Sequence, residues 1–136
     1  MSVYTRGEGT LENGNMRWSP VAHGAGSSVG SLFVFNEAQH SIAPTRGGHY
    51  FIYVDLQLTC TYVCNAGHFT VSIGDHLNCT VELPQWNKST PVSKRCWQVA
   101  TMVAEKRLVT KMIVPKGLDN WTLDLAASGQ GFFLVD

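Results

Sequence analysis

The chain has 136 residues with ten basic and ten acidic side chains, so its formal net charge is zero. That balance excludes the basic footprint of a nucleic-acid-binding domain or of a protein held on an anionic membrane. The length fits one domain with a sizeable core. With 44% hydrophobic and only 15% charged residues, the surface is dry enough to favour an oligomer.

Residues 1–15 are polar and glycine-bearing and read as a stalk, flexible or at an edge, ahead of a domain over 16–136. Met16-Arg17-Trp18 reads as a short strand before Ser19-Pro20, and His23 to Gly30 as a flexible glycine-rich loop. Ser31 to Phe35 is a strand, Asn36 to Gln39 a turn, and His40 to Thr45 alternates weakly. Gly48 to Leu58 is the dominant strand signal, rich in aromatic and branched residues. Thr61 to Gly67 is a loop, Phe69 to Ile73 an alternating strand, and Leu77 to Leu83 another. Pro84 to Lys94 is a surface loop by its proline and polar content. Cys96 to Ala104 and Leu108 to Val114 read as strands, because Val, Thr and Ile outweigh the helix-forming residues between them. Leu123 to Ala126 is a strand, Ser128 to Gly131 a turn, and Phe132 to Val135 the last strand. Short strands with regular turns predict an all-β antiparallel sandwich or jelly roll.

Within the dominant strand, Tyr50, Ile52, Val54, Leu56 and Leu58 alternate onto one face. The opposite face opens with Phe51 and Tyr53 before turning polar at Asp55 and Gln57. Aromatics on the face away from the core predict a partner that covers them.

Four cysteines, Cys60, Cys64, Cys79 and Cys96, lack the paired C-x-x-C hooks of a zinc ribbon and permit three disulfide pairings. N-x-[ST] sequons at Asn78, Asn87 and Asn120 join them in pointing to the secretory pathway and an extracellular location. No apolar run reaches the roughly 20 residues of a membrane span, and no signal peptide follows Met1.

Catalytic patterns are missing. The five histidines are scattered, carboxylates are dispersed, and Ser128-Gly129-Gln130-Gly131 is not a nucleophile elbow. The expectation is a binding protein, with no enzyme activity, metal, cofactor or small-molecule substrate.

Several segments then resemble the tumour necrosis factor (TNF) superfamily. Gly48 to Leu58 is similar to its G-x-Y-x-[VI]-Y-x-Q-[VL] strand, and Leu123 to Phe133 to its L-D-x-A-x-S-G-Q-x-F-F closing segment. Lys116-Gly117 matches its K-G-D turn, and Arg17-Trp18 its L-x-W motif. The resemblance covers Met16 to Asp136. The weakly patterned start and the short stretch between Leu118 and Ser128 are similar to the divergent co-stimulatory ligands of that family.

The resemblance implies a jelly-roll homotrimer that binds and clusters a cysteine-rich receptor of the TNF-receptor superfamily on immune cells. The native form would be secreted or held at the cell surface by a type II membrane anchor. It implies a subunit contact through Phe51 and Tyr53, joined by Phe132 or Phe133. It favours a Cys60–Cys96 bridge with Cys64–Cys79, or the swapped Cys64–Cys96 with Cys60–Cys79. Receptor contacts are expected in two loops, at Gln85, Trp86 and Lys88 and at His23 and Ser27. Two other readings share the architecture: a complement-type globular head, and a carbohydrate-binding sandwich with Trp86, Trp97 or Trp121 stacking on sugar.

Overall fold

A computed structural model describes residues 2–6, 11, 14–15, 19–20, 22–23, 26–27, 33–36, 41–60, 63–84, 91–118, 120–124 and 127–135. The expected strand at Met16 to Trp18 and the loop residues Gln85, Trp86, Asn87 and Lys88 lie outside them.

The strands are β1 (Ser2–Arg6), β2 (Gly14–Asn15), β3 (Ser19–Pro20), β4 (Ala22–His23), β5 (Gly26–Ser27), β6 (Phe33–Asn36) and β7 (Ser41–Pro44). They continue with β8 (Gly48–Cys60), β9 (Gly67–Ile73), β10 (Leu77–Leu83), β11 (Val92–Met102), β12 (Leu108–Ile113), β13 (Trp121–Leu123) and β14 (Gly129–Leu134). One sheet runs in the order β11-β8-β14-β1-β3, and the other β10-β9-β12-β7-β6. Every ladder is antiparallel, and among the described residues there is no helix.

Alternation decides the layers. In β8 each even residue from Tyr50 to Cys60 is buried and each odd residue from Phe51 to Thr59 is partly exposed. Phe69, Val71 and Ile73 of β9 and Leu77, Cys79, Val81 and Leu83 of β10 face them from the second sheet. Phe33 closes one end of this core with its ring 5.5 Å from Tyr50 and 6.0 Å from Phe132. The Tyr50 hydroxyl donates to Arg46 O at 2.5 Å. Burial raises the pKa of that phenol, partly offset by the charge of Arg46. Thr110 Oγ1 of β12 donates to Gln130 Oε1 of β14 at 2.5 Å, a buried hydrogen bond joining the two sheets.

Several expectations are corrected. The predicted turn Ser128–Gly131 is instead the start of β14: Gly129, Gln130 and Gly131 pair with Asp55, Val54 and Tyr53. Glycine is needed there for space, since a Cβ on Gly131 would run into the Tyr53 ring. Only Ser128 remains outside the strand, and its hydroxyl accepts the Gln57 N–H at 3.0 Å where the ladder is interrupted. The strand expected at Leu123–Ala126 lies earlier, at Trp121–Leu123, paired with Leu58–Cys60. The long loop ends sooner than predicted, because Val92 already pairs with Leu58. At the far end of β11, Glu105 takes a left-handed φ of 67° and donates its N–H to Pro44 O. Within the glycine-rich segment, β4 and β5 form a small hairpin. Ser2–Arg6, expected to be a stalk, flexible or at an edge, pairs with β14.

The cysteine pairing also differs. The bridges are Cys60–Cys64 and Cys79–Cys96, with Cα separations of 5.9 and 5.8 Å. Register explains why Cys60–Cys96 does not form. Cys96 lies opposite Val54, six positions (60 − 54) from Cys60. That is roughly 20 Å along a strand, against a Cα limit of about 7 Å for a disulfide. Cys79 instead reaches Cys96 across the open edge of the sandwich, tying β10 of one sheet to β11 of the other. Cys60–Cys64 closes a short loop whose rim is held by Trp121 Nε1 donating to Asn65 O at 3.0 Å and Asn65 Nδ2 donating to Gly117 O at 3.0 Å.

Candidate functional site

The outward face of the β11-β8-β14 sheet carries the site. Antiparallel register sets Trp97 opposite Tyr53 and Val99 opposite Phe51 on one side of β8. On the other side it sets Gly131 opposite Tyr53 and Phe133 opposite Phe51. Directly opposed residues share a face, so alternation on the three strands gathers Phe51, Tyr53, Trp97, Val99 and Phe133 together. Phe51 is the centre. Its ring stacks on Phe133 at 4.9 Å and 27° and on Trp97 at 5.5 Å and 19°. Tyr53 is tilted beside it at 5.9 Å and lies over Gly131, whose missing side chain leaves the space. Trp97 is 60% and Val99 46% exposed, while Phe51, Tyr53 and Phe133 are partly exposed.

Polarity changes abruptly along the same face. Arg95 Nε and Nη2 donate to Asp55 Oδ1 and Oδ2 at 2.5 and 3.1 Å, a two-pronged ion pair next to Tyr53. Beyond it, Gln57 Nε2 donates to Asp124 Oδ2 at 3.3 Å, and the hydroxyls of Thr59 and Thr122 meet at 3.1 Å. One half of the face is therefore aromatic, and the other consists of polar side chains hydrogen-bonded to each other.

Of the four aromatics expected at a subunit contact, Phe51, Tyr53 and Phe133 occupy this face. Phe132 does not. It lies opposite Ile52 and is 0% exposed in the core, so of the two alternatives in the last strand only Phe133 lies on this face. Trp97 and Val99 were missed as members of the cluster. Cys96 points toward the core through its bridge, and period-two alternation then places 97 and 99 outside.

Trp121 is also in the core, with its indole N–H satisfied by Asn65, so it cannot stack on a sugar. Asn78 is exposed on β10, and Asn120 is exposed with its Nδ2 donating to Val63 O at 2.8 Å. His23 and Ser27 lie on the β4–β5 hairpin. Asp75 and His76 sit in the β9–β10 turn, 3.6 Å apart. Among the described residues, no three His, Cys, Asp or Glu side chains group as metal ligands.

The architecture has a solved counterpart. Superposition on the Eiger TNF structure from S. frugiperda gives a TM-score of 0.66, covering 100% of this chain and 92% of that one at 14% identity. The chain has the TNF-type jelly-roll fold. Neither a protein-family profile nor a curated protein sequence matches it. The dominant strand identified in the sequence, β8, lies between the edge strand β11 and β14 in the sheet bearing the aromatic face.

Proposed function

We propose that this chain is an extracellular cytokine of the TNF superfamily that assembles as a homotrimer and clusters a cysteine-rich receptor of the TNF-receptor family on immune cells. The observation that carries the reading is the aromatic half-face on β11, β8 and β14. A water-facing sheet with three stacked aromatics, an adjacent tyrosine and an exposed valine is what a subunit contact requires. The TNF-type fold supports it, and two disulfides suit an oxidising compartment.

In this reading the protein works without catalysis. It holds loops at fixed separations so that several receptors are gathered at once, and multivalency supplies the signal. The receptor surface comprises the loops bearing Gln85, Trp86 and Lys88 and the hairpin with His23 and Ser27. Asn78, Asn87 and Asn120 carry glycans, and the protein is secreted or tethered by a type II anchor.

Sedimentation of the purified protein and of Tyr53→Asp tests the proposal, together with capture by a panel of soluble TNF-receptor-family ectodomains. Burying each aromatic contributes about 2–3 kcal/mol, and a carboxylate in its place loses that and adds desolvation. Wild type should sediment as a trimer and bind one ectodomain, and Tyr53→Asp should do neither. A wild-type monomer, or a Tyr53→Asp variant that stays trimeric, would refute the reading.

A further inference from the structure

Val63 has its main chain fixed and its side chain left in water. It precedes Cys64 of the Cys60–Cys64 bridge and is 50% exposed. Asn120 Nδ2 donates to Val63 O at 2.8 Å, and Trp121 Nε1 donates to Asn65 O at 3.0 Å. Two consecutive residues, Asn120 and Trp121, therefore hold two carbonyls of this loop. Trp121 does so from inside the core, 1% exposed, while Asn120 is exposed. Asn120 also opens the sequon Asn120-Trp121-Thr122, whose sugar joins the same Nδ2. One nitrogen is thus both the attachment point and the donor to Val63 O, and after attachment it keeps one of its two hydrogens. The rest of the sequon is locked in the fold. Trp121 is buried, and the Thr122 hydroxyl meets that of Thr59 at 3.1 Å where β13 pairs with β8.

We infer that the Asn120 glycan is a working part of this loop: its first sugar ring lies on Val63, keeps the Nδ2–Val63 hydrogen bond, and slows opening of the chain next to the Cys60–Cys64 bridge. The apolar C–H face of the ring replaces water on the valine. Because Trp121 and Thr122 are tied up once β13 has docked on β8, the sugar is added before that step. The donor is a lipid-linked oligosaccharide diphosphate. Its C1–O bond to the diphosphate breaks, a C1–Nδ2 bond forms, the amide gives up one proton, and the lipid diphosphate leaves. This rests on the glycosylated extracellular protein proposed above and adds what one of its glycans does and when it is attached.

The test uses the full chain with Asn78→Gln and Asn87→Gln, so that Asn120 carries the one remaining sequon. It is made in cells that keep oligomannose glycans and trimmed by an endoglycosidase to a single N-acetylglucosamine. The same polypeptide refolded from bacteria is the sugar-free reference, with melting and sedimentation checking its fold. Peptide mass mapping should find Asn120 occupied. Nuclear Overhauser contacts should join the sugar protons to the Val63 methyls, a measurement on the glycosylated protein alone that does not depend on refolding. Amide hydrogen exchange at Val63 to Asn65 should be about threefold or more slower with the sugar than without it, and Val63→Ser should lose most of that slowing. A transferase given the lipid-linked donor should modify the unfolded chain and spare the folded one. An occupied Asn120 with no contact to Val63, or slowing undiminished in Val63→Ser, overturns the inference and leaves the extracellular reading standing. Transfer to the folded protein overturns the order of events. An unoccupied Asn120 overturns both this inference and the glycan proposed there, while the wild-type trimer, read by sedimentation, is unaffected.

Discussion

Adding one methyl group at Gly131 tests the packing logic of the aromatic face most directly. Gly131 sits opposite Tyr53 in the β14–β8 ladder, and a Cβ there would overlap Cε1, Cζ and the hydroxyl of the Tyr53 ring. The backbone at Gly131 is not in the left-handed region, so an alanine is excluded by the ring and not by φ. Relief requires Tyr53 to leave its rotamer. Displacing a packed side chain costs about 1–3 kcal/mol. Because Tyr53 is only partly buried, the ring can swing into solvent, and the expected loss for an isolated subunit is near 1 kcal/mol. For a chain of this length that corresponds to roughly 3–5 °C in melting temperature.

The larger effect falls on assembly, since a swung ring stands proud of the surface a neighbour must cover, once in every copy. Chemical denaturation and sedimentation of Gly131→Ala, Tyr53→Ala and the double variant form a thermodynamic cycle. The alanine at 131 should be close to neutral once the ring is gone, giving a coupling of about 1 kcal/mol or more. Equal effects of Gly131→Ala with and without the Tyr53 ring would refute the reasoning.

The buried Thr110–Gln130 hydrogen bond gives a second expectation. Thr110→Val strands the Gln130 carbonyl oxygen between the sheets and should destabilise by about 1–3 kcal/mol in urea unfolding. Thr110→Val with Gln130→Leu should recover part of that loss. The two bridges should differ in weight. Opening Cys79–Cys96, with a sequence separation of 17, should cost roughly 3 kcal/mol, and opening Cys60–Cys64, with a separation of 4, roughly 2 kcal/mol, from loop-closure entropy. Paired Cys→Ser variants followed by denaturant unfolding measure both, and non-reducing peptide mapping checks the pairing.

Much of this protein is determined by local pattern. The alternation in Gly48–Leu58 specifies that Tyr50, Ile52, Val54, Leu56 and Leu58 point one way and Phe51 and Tyr53 the other, because successive strand side chains oppose. Polar spacing between short β-rich runs likewise specifies an all-β sandwich. Where the pattern has no phase, only tertiary structure decides. Phe132-Phe133-Leu134-Val135 is apolar at every position, so nothing local tells which phenylalanine is core. The pairing of Phe132 with Ile52 and of Phe133 with Phe51 settles it.

Ser128-Gly129-Gln130-Gly131 has turn composition, yet β14 begins inside it, because the glycine makes room for a tyrosine 78 positions earlier in the chain (131 − 53). The cysteines obey the same principle. Sequence spacing left their partners open, and the register of β11 on β8 set Cys96 six positions from Cys60, with Cys79 in reach across the sandwich edge. The aromatic cluster is half local and half tertiary. Phe51 and Tyr53 are visible in one strand, while Trp97, Val99 and Phe133 join them because antiparallel pairing brings three separate strands side by side with their alternation in phase.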